Sequence, residues 1–368
     1  MRAFFNKLIQ PSTPQKQLPF IFPFLVALFA GSIFSLALAP YHWWWVALLS
    51  PALLYASLRK RSAKHAFWIG LSYGFGLWFV GAFWLYTSIH VYGDTNAFLS
   101  VLMVVIMAIL MGLFTALQTW LYRRFFPETP LTFAPLWVFF EWAKTWVFTG
   151  FPWLFAGYAF TERYLDNYAP LFGVFGVSFV VILLATAIVE IINRRFIWLV
   201  PSLLLLLGAW GASFLQFVEK KPTPALSVSL IQGNIPQDMK WLTEYQRQTL
   251  LIYKNLSTTE WGRDLIVWPE SSIPMFQTDI EQFLQQMGVE STLSGTHWLT
   301  GLPYWDLKES YKVGYPVYYN SIMALDGHSR SLYKKQRLVP FGEYIPLSGF
   351  LSWVLPALLN DPSMSGFS

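Results

Sequence analysis

Long apolar runs fill the first 218 residues, and short alternating runs fill the remainder. From Gln17 to Leu58 there is no Asp, Glu, Lys or Arg, and only Pro40-Tyr41-His42 interrupts the run. A stretch of about 20 apolar residues crosses a bilayer as a helix, so this run predicts two spans, at 19–39 and 43–58. A third is expected at 65–93, closed by Asp94, and a fourth at 96–122, closed by Arg123-Arg124. Residues 131–149 form a fifth, interrupted by Glu141 and Lys144; 168–189 and 196–217 make the sixth and seventh. A cleaved signal peptide would have a shorter apolar core than the first run and no second span directly behind it.

The pattern changes at Glu219. Lys220-Lys221-Pro222-Thr223-Pro224 reads as a linker, and short apolar runs follow. Strands are expected at 226–235, 264–269, 297–303, 317–325 and 330–339, the last two joined by an Asp326-Gly327 hairpin turn. Helices fit 241–257 and 279–289. Strands alternating with helices indicate an α/β layered unit. The expected architecture is therefore a multi-pass α-helical membrane domain, 1–218, followed by an α/β domain, 219–368.

Composition sharpens this picture. Of the 368 residues, 55% are hydrophobic and 12% charged, against about a quarter charged in soluble domains. The mean hydropathy is +0.43. The net charge of +5 is modest and, in a membrane protein, fits basic loops better than nucleic-acid binding. Arg59, Lys60, Arg61, Lys64, Arg123, Arg124, Arg194 and Arg195 fall in the loops after spans two, four and six, whereas the alternate loops carry Arg163 alone. The positive-inside rule makes the basic loops cytoplasmic. With the N-terminus inside, seven spans deliver the α/β domain to the outer side. There is no cysteine, which excludes disulfides, thiolate metal sites and a thiol nucleophile within these residues.

Candidate chemistry lies in the α/β domain. Leu265-Ile-Val-Trp-Pro-Glu270 ends a strand in a carboxylate that could act as general base. Lys335 could stabilise an oxyanion, and Glu343 follows the turn Pro340-Phe341-Gly342. Taken singly, Glu270 and Lys335 fit a solvated loop glutamate and an exposed hairpin lysine better, and Glu343 fits a turn residue equally well. In the membrane domain, Glu141 and Lys144 share a helix face and can pair, as a structural bridge or beside a substrate head group.

The order of Gly233-Asn-Ile-Pro-Gln237, Trp268-Pro-Glu270, Tyr333-Lys-Lys335 and Leu338-Val-Pro-Phe-Gly-Glu343 resembles the nitrilase superfamily in the form found in the apolipoprotein N-acyltransferase family. Seven preceding spans and an outward domain match the same family, so the resemblance covers essentially the whole chain. It implies an αββα sandwich and a Glu-Lys-Cys triad: Glu270 matches the base, Lys335 the ammonium that stabilises the tetrahedral intermediate, and Glu343 a supporting carboxylate. Lys335 is matched rather than Lys334 because it lies two residues after Tyr333. Trp241 matches a substrate-facing tryptophan. The reaction implied takes an acyl chain from a membrane phospholipid, holds it as a thioester and passes it to the N-terminal amine of a diacylglyceryl-apolipoprotein, at the bacterial inner membrane and without a cofactor. The family's nucleophilic cysteine is expected beyond Ser368, with the rest of the sandwich and a final membrane helix. On this reading 219–368 is an incomplete, periplasmic nitrilase-like domain, and the chain by itself has no thioester chemistry. Ser363, Ser365 and Ser368 read as loop serines, since an alcohol needs a dedicated base. Phe350–Leu359 resembles an apolar loop that leans on the membrane. The competing expectations are a non-catalytic lipid- or lipoprotein-binding derivative of the enzyme and a membrane-tethered amidase, for which one span would suffice.

Overall fold

Helices occupy each of the seven apolar stretches in the computed structural model, which describes residues 21–147, 150–219, 223–326, 329–339 and 343. They are α1 (Ile21–Ile33), α2 (Val46–Leu58), α3 (Ala63–Gly81), α4 (Ala97–Phe125), α5 (Pro130–Ala143), α6 (Ala169–Ile192) and α7 (Leu199–Ala212). Among the described residues, two helices are long and apolar enough to cross a membrane, those covering Ala97–Phe125 and Tyr164–Ile192. A third qualifies if α3 and Leu85–Tyr92, bent by 58° at their break, form one span. The 13 residues of α2 and the 14 each of α5 and α7 reach only about 20 Å at 1.5 Å per residue, against a hydrocarbon core of about 30 Å. These elements are shorter than the expected spans because turns and 3-10 segments take up their ends.

Small residues set the helix contacts, as they do wherever helices must approach without help from water. A Cβ on Gly74 of α3 would stand 2.6 Å from Gly112 Cα of α4, and one on Gly70 would stand 2.0 Å from Thr119 Oγ1. Thr119 in turn donates to the Ala66 carbonyl at 2.8 Å. Buried polar groups are bonded across helices: Ser50 Oγ donates to the Ala30 carbonyl at 2.7 Å and meets Tyr73 Oη at 2.8 Å.

The basic loops converge at one end of this bundle. Arg123 Nε donates to the Arg61 carbonyl at 2.8 Å and pairs with Glu128, which also accepts from the Lys60 amide at 3.1 Å. Buried Glu190 accepts from Tyr55 at 2.8 Å and from Arg195 at 3.0 Å. The expected Glu141–Lys144 bridge is not formed. Glu141 Oε1 instead accepts from Trp137 Nε1 and the Ala156 amide, both at 2.9 Å. The Lys144 ammonium lies 5.3 and 5.2 Å from the Trp78 and Phe155 ring centroids. Three residues apart on α5 allows a pair. The closing turn of the helix, where Lys144 sits as the C-terminal cap, carries its ammonium to the rings.

The chain divides into two compact units, Met1–Lys220 and Lys221–Ser368. The second holds one five-stranded sheet in the order β1-β2-β3-β4-β5: β1 (Val228–Leu230), β2 (Leu265–Val267), β3 (His297–Trp305), β4 (Tyr318–Leu325) and β5 (Arg330–Lys334). β1, β2 and β3 are parallel, and β3-β4 and β4-β5 antiparallel. The helices α8 (Thr243–Ser257) and α9 (Glu281–Ser294) share a core with one sheet face, built from Leu250, Tyr253, Leu284 and Met287 against Ile266, Trp298, Leu302 and Met323. Alternation sends the other set of side chains to the opposite face, where Val228, Leu230, Ile322 and Tyr333 are exposed. β1 and β5 are shorter than 226–235 and 330–339. The first runs into a loop in which Asn234 has φ +50° and Gly233 lies against the Tyr253 ring.

A short helix, α10 (Leu307–Val313), was not foreseen. Its signals are local: Asp306 caps the Glu309 amide at 2.9 Å, and Gly314 closes it at φ +82°. Residues 1–20 lie outside the described residues, as do linker residues 220–222, turn residues 327–328 and 340–342, the apolar segment 350–359 and the three C-terminal serines.

Candidate active site

Strand ends bring the candidate residues together. β2 finishes at Val267, Trp268 still donates to the Leu299 carbonyl of β3 at 2.8 Å, and the chain then turns through Pro269-Glu270-Ser271. That turn is tied to β3: Ile273 donates to the Gly301 carbonyl at 3.1 Å, and Ser272 Oγ meets Thr300 Oγ1 at 3.0 Å. Only glycine fits at 301, since a Cβ there would stand 2.6 Å from the Ser271 nitrogen and 2.7 Å from Glu270 Cα. Ser271 itself holds a positive φ of 49°.

On the other side, β4 and β5 pair Ser321 with Lys334, and the ladder continues one step as Lys335 donates its amide to the Asn320 carbonyl at 2.8 Å. Strand alternation separates the two lysines. Lys334 turns to Asp306 at 2.6 Å, with its ammonium 4.0 Å from the Tyr319 ring centroid. Lys335 turns to the end of β2, where its Nζ lies 3.0 Å from Glu270 Oε1 and 2.9 Å from Glu343 Oε1.

Asn320 completes the cluster, and sequence reasoning missed it. Its Nδ2 donates to Glu270 Oε1 at 2.6 Å and to Glu343 Oε1 at 2.7 Å, so one amide bridges the same two carboxylates as Lys335. Its signal was the hairpin register, which sets Asn320 opposite Lys335, but an asparagine in a strand carries no motif by itself. Glu343 Oε2 accepts from the Val339 amide at 2.7 Å, and the Glu343 amide returns to the Val339 carbonyl at 2.9 Å.

The electrostatics follow from these contacts. Burial works against the Lys335 ammonium, but hydrogen bonds to Glu343 and Glu270 and their negative charges outweigh it and hold the group above the usual lysine range. Burial also works against the Glu343 carboxylate. Asn320, Lys335 and the Val339 amide overcome it and hold Glu343 below the usual carboxylate range. Lys335 is thus a fixed cation across the physiological range, suited to balancing a developing oxyanion and unsuited to taking a proton. Glu270, 59% exposed against 12% for Glu343, is the carboxylate that can reach an incoming group.

A cavity of about 360 Å3 opens on this cluster, lined by Gln237, Lys240, Trp241, Glu270, Ser271, Asn320 and Glu343. Trp241, expected to face a substrate, stands half-exposed on its wall.

The chain thus presents a bundle of apolar helices and an α/β unit in which an ammonium is clamped between two carboxylates. Comparison with known proteins makes the class specific. Residues 30–187 match the model of the apolipoprotein N-acyltransferase N-terminal domain. The chain is 37% identical over 355 residues to the apolipoprotein N-acyltransferase of Pseudomonas syringae pv. tomato, covering 94% of this chain and 69% of the relative. The enzyme of that name from Azotobacter vinelandii is 37% identical, over 94% of this chain and 68% of the relative. That from Vibrio parahaemolyticus is 33% identical, over 94% and 69%. The chain belongs to the apolipoprotein N-acyltransferase family.

Proposed function

We propose that this chain carries the membrane unit and part of the catalytic site of a phospholipid-dependent apolipoprotein N-acyltransferase. The observation that carries the reading is the Glu270–Lys335–Glu343 cluster, three residues distant in sequence and joined by hydrogen bonds of 3.0 and 2.9 Å. In the proposed reaction Glu270 takes the proton of a cysteine thiol, and the sulfur bonds to the carbonyl carbon of a phospholipid ester. Lys335 balances the oxyanion. The C–O bond breaks, and the lysophospholipid leaves as an alcohol with the proton. The α-amine of a diacylglyceryl-apolipoprotein then attacks the thioester, an amide forms and the thiol is restored. Glu343 and Asn320 hold Lys335 and Glu270 in place.

The sheet face bearing exposed Val228, Leu230, Ile322 and Tyr333 supports an αββα sandwich, in which a second sheet would cover it. The gathering of Arg61, Arg123 and Arg195 at one end of the helical bundle supports a cytoplasmic face there. With the seven spans expected from hydropathy, the α/β domain, 219–368, would lie on the periplasmic side of the inner membrane.

No cysteine occurs among the 368 residues, so the base and the ammonium are here without the thiol. That absence also favours a second reading, a non-catalytic lipid- or lipoprotein-binding relative of the enzyme. The test uses the purified chain in detergent, given a phospholipid and a diacylglyceryl peptide carrying a photocrosslinker. Capture of the peptide on the Trp241-bearing segment without transfer of an acyl chain is expected. Turnover would overturn the assignment of the nucleophile to a cysteine, and failure to capture the peptide would overturn the acceptor. The two readings part on the intact mass of the protein from its native membrane, compared with 42.4 kDa. A heavier protein with a cysteine peptide supports the enzyme, and a matching mass supports the binding protein.

A further inference from the structure

Lys240 lines the cavity, Lys335 stands behind two of its lining carboxylates, and the surroundings of the two ammonium groups differ. Lys335 is engaged by both carboxylates. Lys240, on the cavity wall, reaches only the backbone carbonyl of Glu270, at 3.4 Å, near the long limit for a hydrogen bond. Its Nζ lies 6.0 Å from the Trp241 ring centroid. Among the described residues no carboxylate lies within ion-pair distance of it. Lys240 is half-buried; burial pushes its ammonium below the usual lysine range, and the charge of Glu270 offsets this only in part. The Met239 and Lys240 amides are both taken by the Pro236 carbonyl, at 3.2 and 3.1 Å, so the cation this turn offers to the cavity is the Lys240 side chain. A desolvated ammonium without a counter-ion gains from an anion that enters beside it.

We propose that Lys240 is the phosphate-holding residue of the site: it takes the phosphodiester of the donor lipid while the ester of the same lipid lies against Glu270 and Lys335. The inference rests on the phospholipid-donor reading above. Phosphate and acyl esters share one three-carbon glycerol, so a cation lining the cavity that Glu270 lines is set to grip the first while the second reacts. A lysine ammonium suits this role as a compact point charge on a flexible stem. The phosphate belongs to the lysophospholipid that leaves, so Lys240 holds the leaving part of the donor.

The test is calorimetric titration of the detergent-solubilised chain with three probes: short-chain phosphatidylglycerol, diacylglycerol of the same chain length, and inorganic phosphate. The unsubstituted chain is expected to prefer the phosphate-bearing lipid. Lys240→Met, which keeps the apolar stem, should weaken that binding about tenfold, the size of one charge-assisted contact, and leave diacylglycerol unaffected. Lys240→Arg should stay within about threefold. A Lys240→Met chain that still prefers the phosphate-bearing lipid overturns the role of Lys240 and leaves the donor reading standing. An unsubstituted chain that binds both lipids alike overturns the donor reading itself. Inorganic phosphate binding as tightly as the lipid would make this a free-anion site and overturn the proposal. If Lys240→Met loses its far-UV spectrum, the 13C-methylated lysine signals of the unsubstituted chain decide. One of them must move on adding the phosphate-bearing lipid and be absent from Lys240→Arg, and no such movement refutes the proposal.

Discussion

Replacing Asn320 with leucine probes how the site holds itself together. The substitution keeps the approximate shape and removes the amide that donates to Glu270 at 2.6 Å and to Glu343 at 2.7 Å. Each hydrogen bond to a charged group contributes about 1.5–3 kcal/mol. The two losses are unequal. Glu270 is 59% exposed and regains water, so its lost bond costs little. Glu343 is 12% exposed and, among the described residues, keeps Lys335 and the Val339 amide. The net destabilisation of the β4-β5 hairpin is therefore about 2 kcal/mol, which corresponds to about 30-fold faster opening-limited exchange. Hydrogen–deuterium exchange of peptides covering 318–325 and 330–335, in the full chain in detergent, reads this directly. Asn320→Asp should exceed Asn320→Leu, because it sets a third carboxylate between two that already share one ammonium. Acceleration below about threefold for leucine, or a smaller effect for aspartate than for leucine, would refute the view that Asn320 neutralises and spaces the carboxylates.

The same contacts fix two further outcomes. Gly301→Ala puts a Cβ within 2.7 Å of Glu270 Cα and should destabilise the sheet unit by about 1–3 kcal/mol, as overpacking does; a urea midpoint unchanged from the parent would show that the Pro269–Ser271 turn yields freely. Hairpin protection should be flat near neutral pH and fall at both ends. Glu343 titrates below its ordinary 4.5 when folded, so its contribution is complete above about 4.5 and disappears as pH falls through the lower folded value. Lys335, held above its ordinary 10.5, contributes below about 10.5 and loses that as pH rises through its higher folded value. A decline centred near pH 7 in the exchange series would contradict both assignments.

The candidate cluster was legible through the order of the motifs that carry the family resemblance, and the structure brings those residues together at strand ends. Neither Glu270 nor Lys335 could be separated from a solvated loop residue by its own neighbours. An apolar run ending in Trp-Pro-Glu and another carrying Tyr-Lys-Lys mark positions where a parallel strand and a hairpin strand deliver side chains to one edge. Periodicity of two also separates Lys335 from Lys334 on physical grounds, as their opposite partners Glu270 and Asp306 demonstrate. What could not be read depends on register and close approach. Asn320 matters because Lys335 bonds to its carbonyl, and Gly301 because Glu270 passes 2.7 Å from where its Cβ would stand. The span lengths failed for a related reason. Hydropathy counts apolar residues, and cannot tell a helix such as α2, which stops after 13 residues, from the turns that extend the same apolar run.

These two kinds of information meet in Lys240. The sequence presents it as one cation in a polar turn before Trp241, with nothing to distinguish it from Lys254 or Lys308. Its significance comes from a comparison between the ammonium that lines the cavity and the one held behind its carboxylates. Where Lys335 is bound on two sides at 3.0 and 2.9 Å, Lys240 has a single carbonyl at 3.4 Å. An ammonium held between two carboxylates is kept charged and fixed in place, which suits the brief, local charge of an oxyanion at a fixed point. A less engaged ammonium on a flexible stem retains most of its charge for a partner whose position varies from molecule to molecule, as a lipid phosphate does. The division of labour predicts that lysine-to-methionine exchange at the two positions separates cleanly: at 335 it should disturb hairpin exchange with lipid absent, and at 240 it should change only lipid binding. Hairpin exchange altered as much by the second substitution as by the first would mean that Lys240 is part of the structural cluster, and the distinction drawn between the two cations would fall.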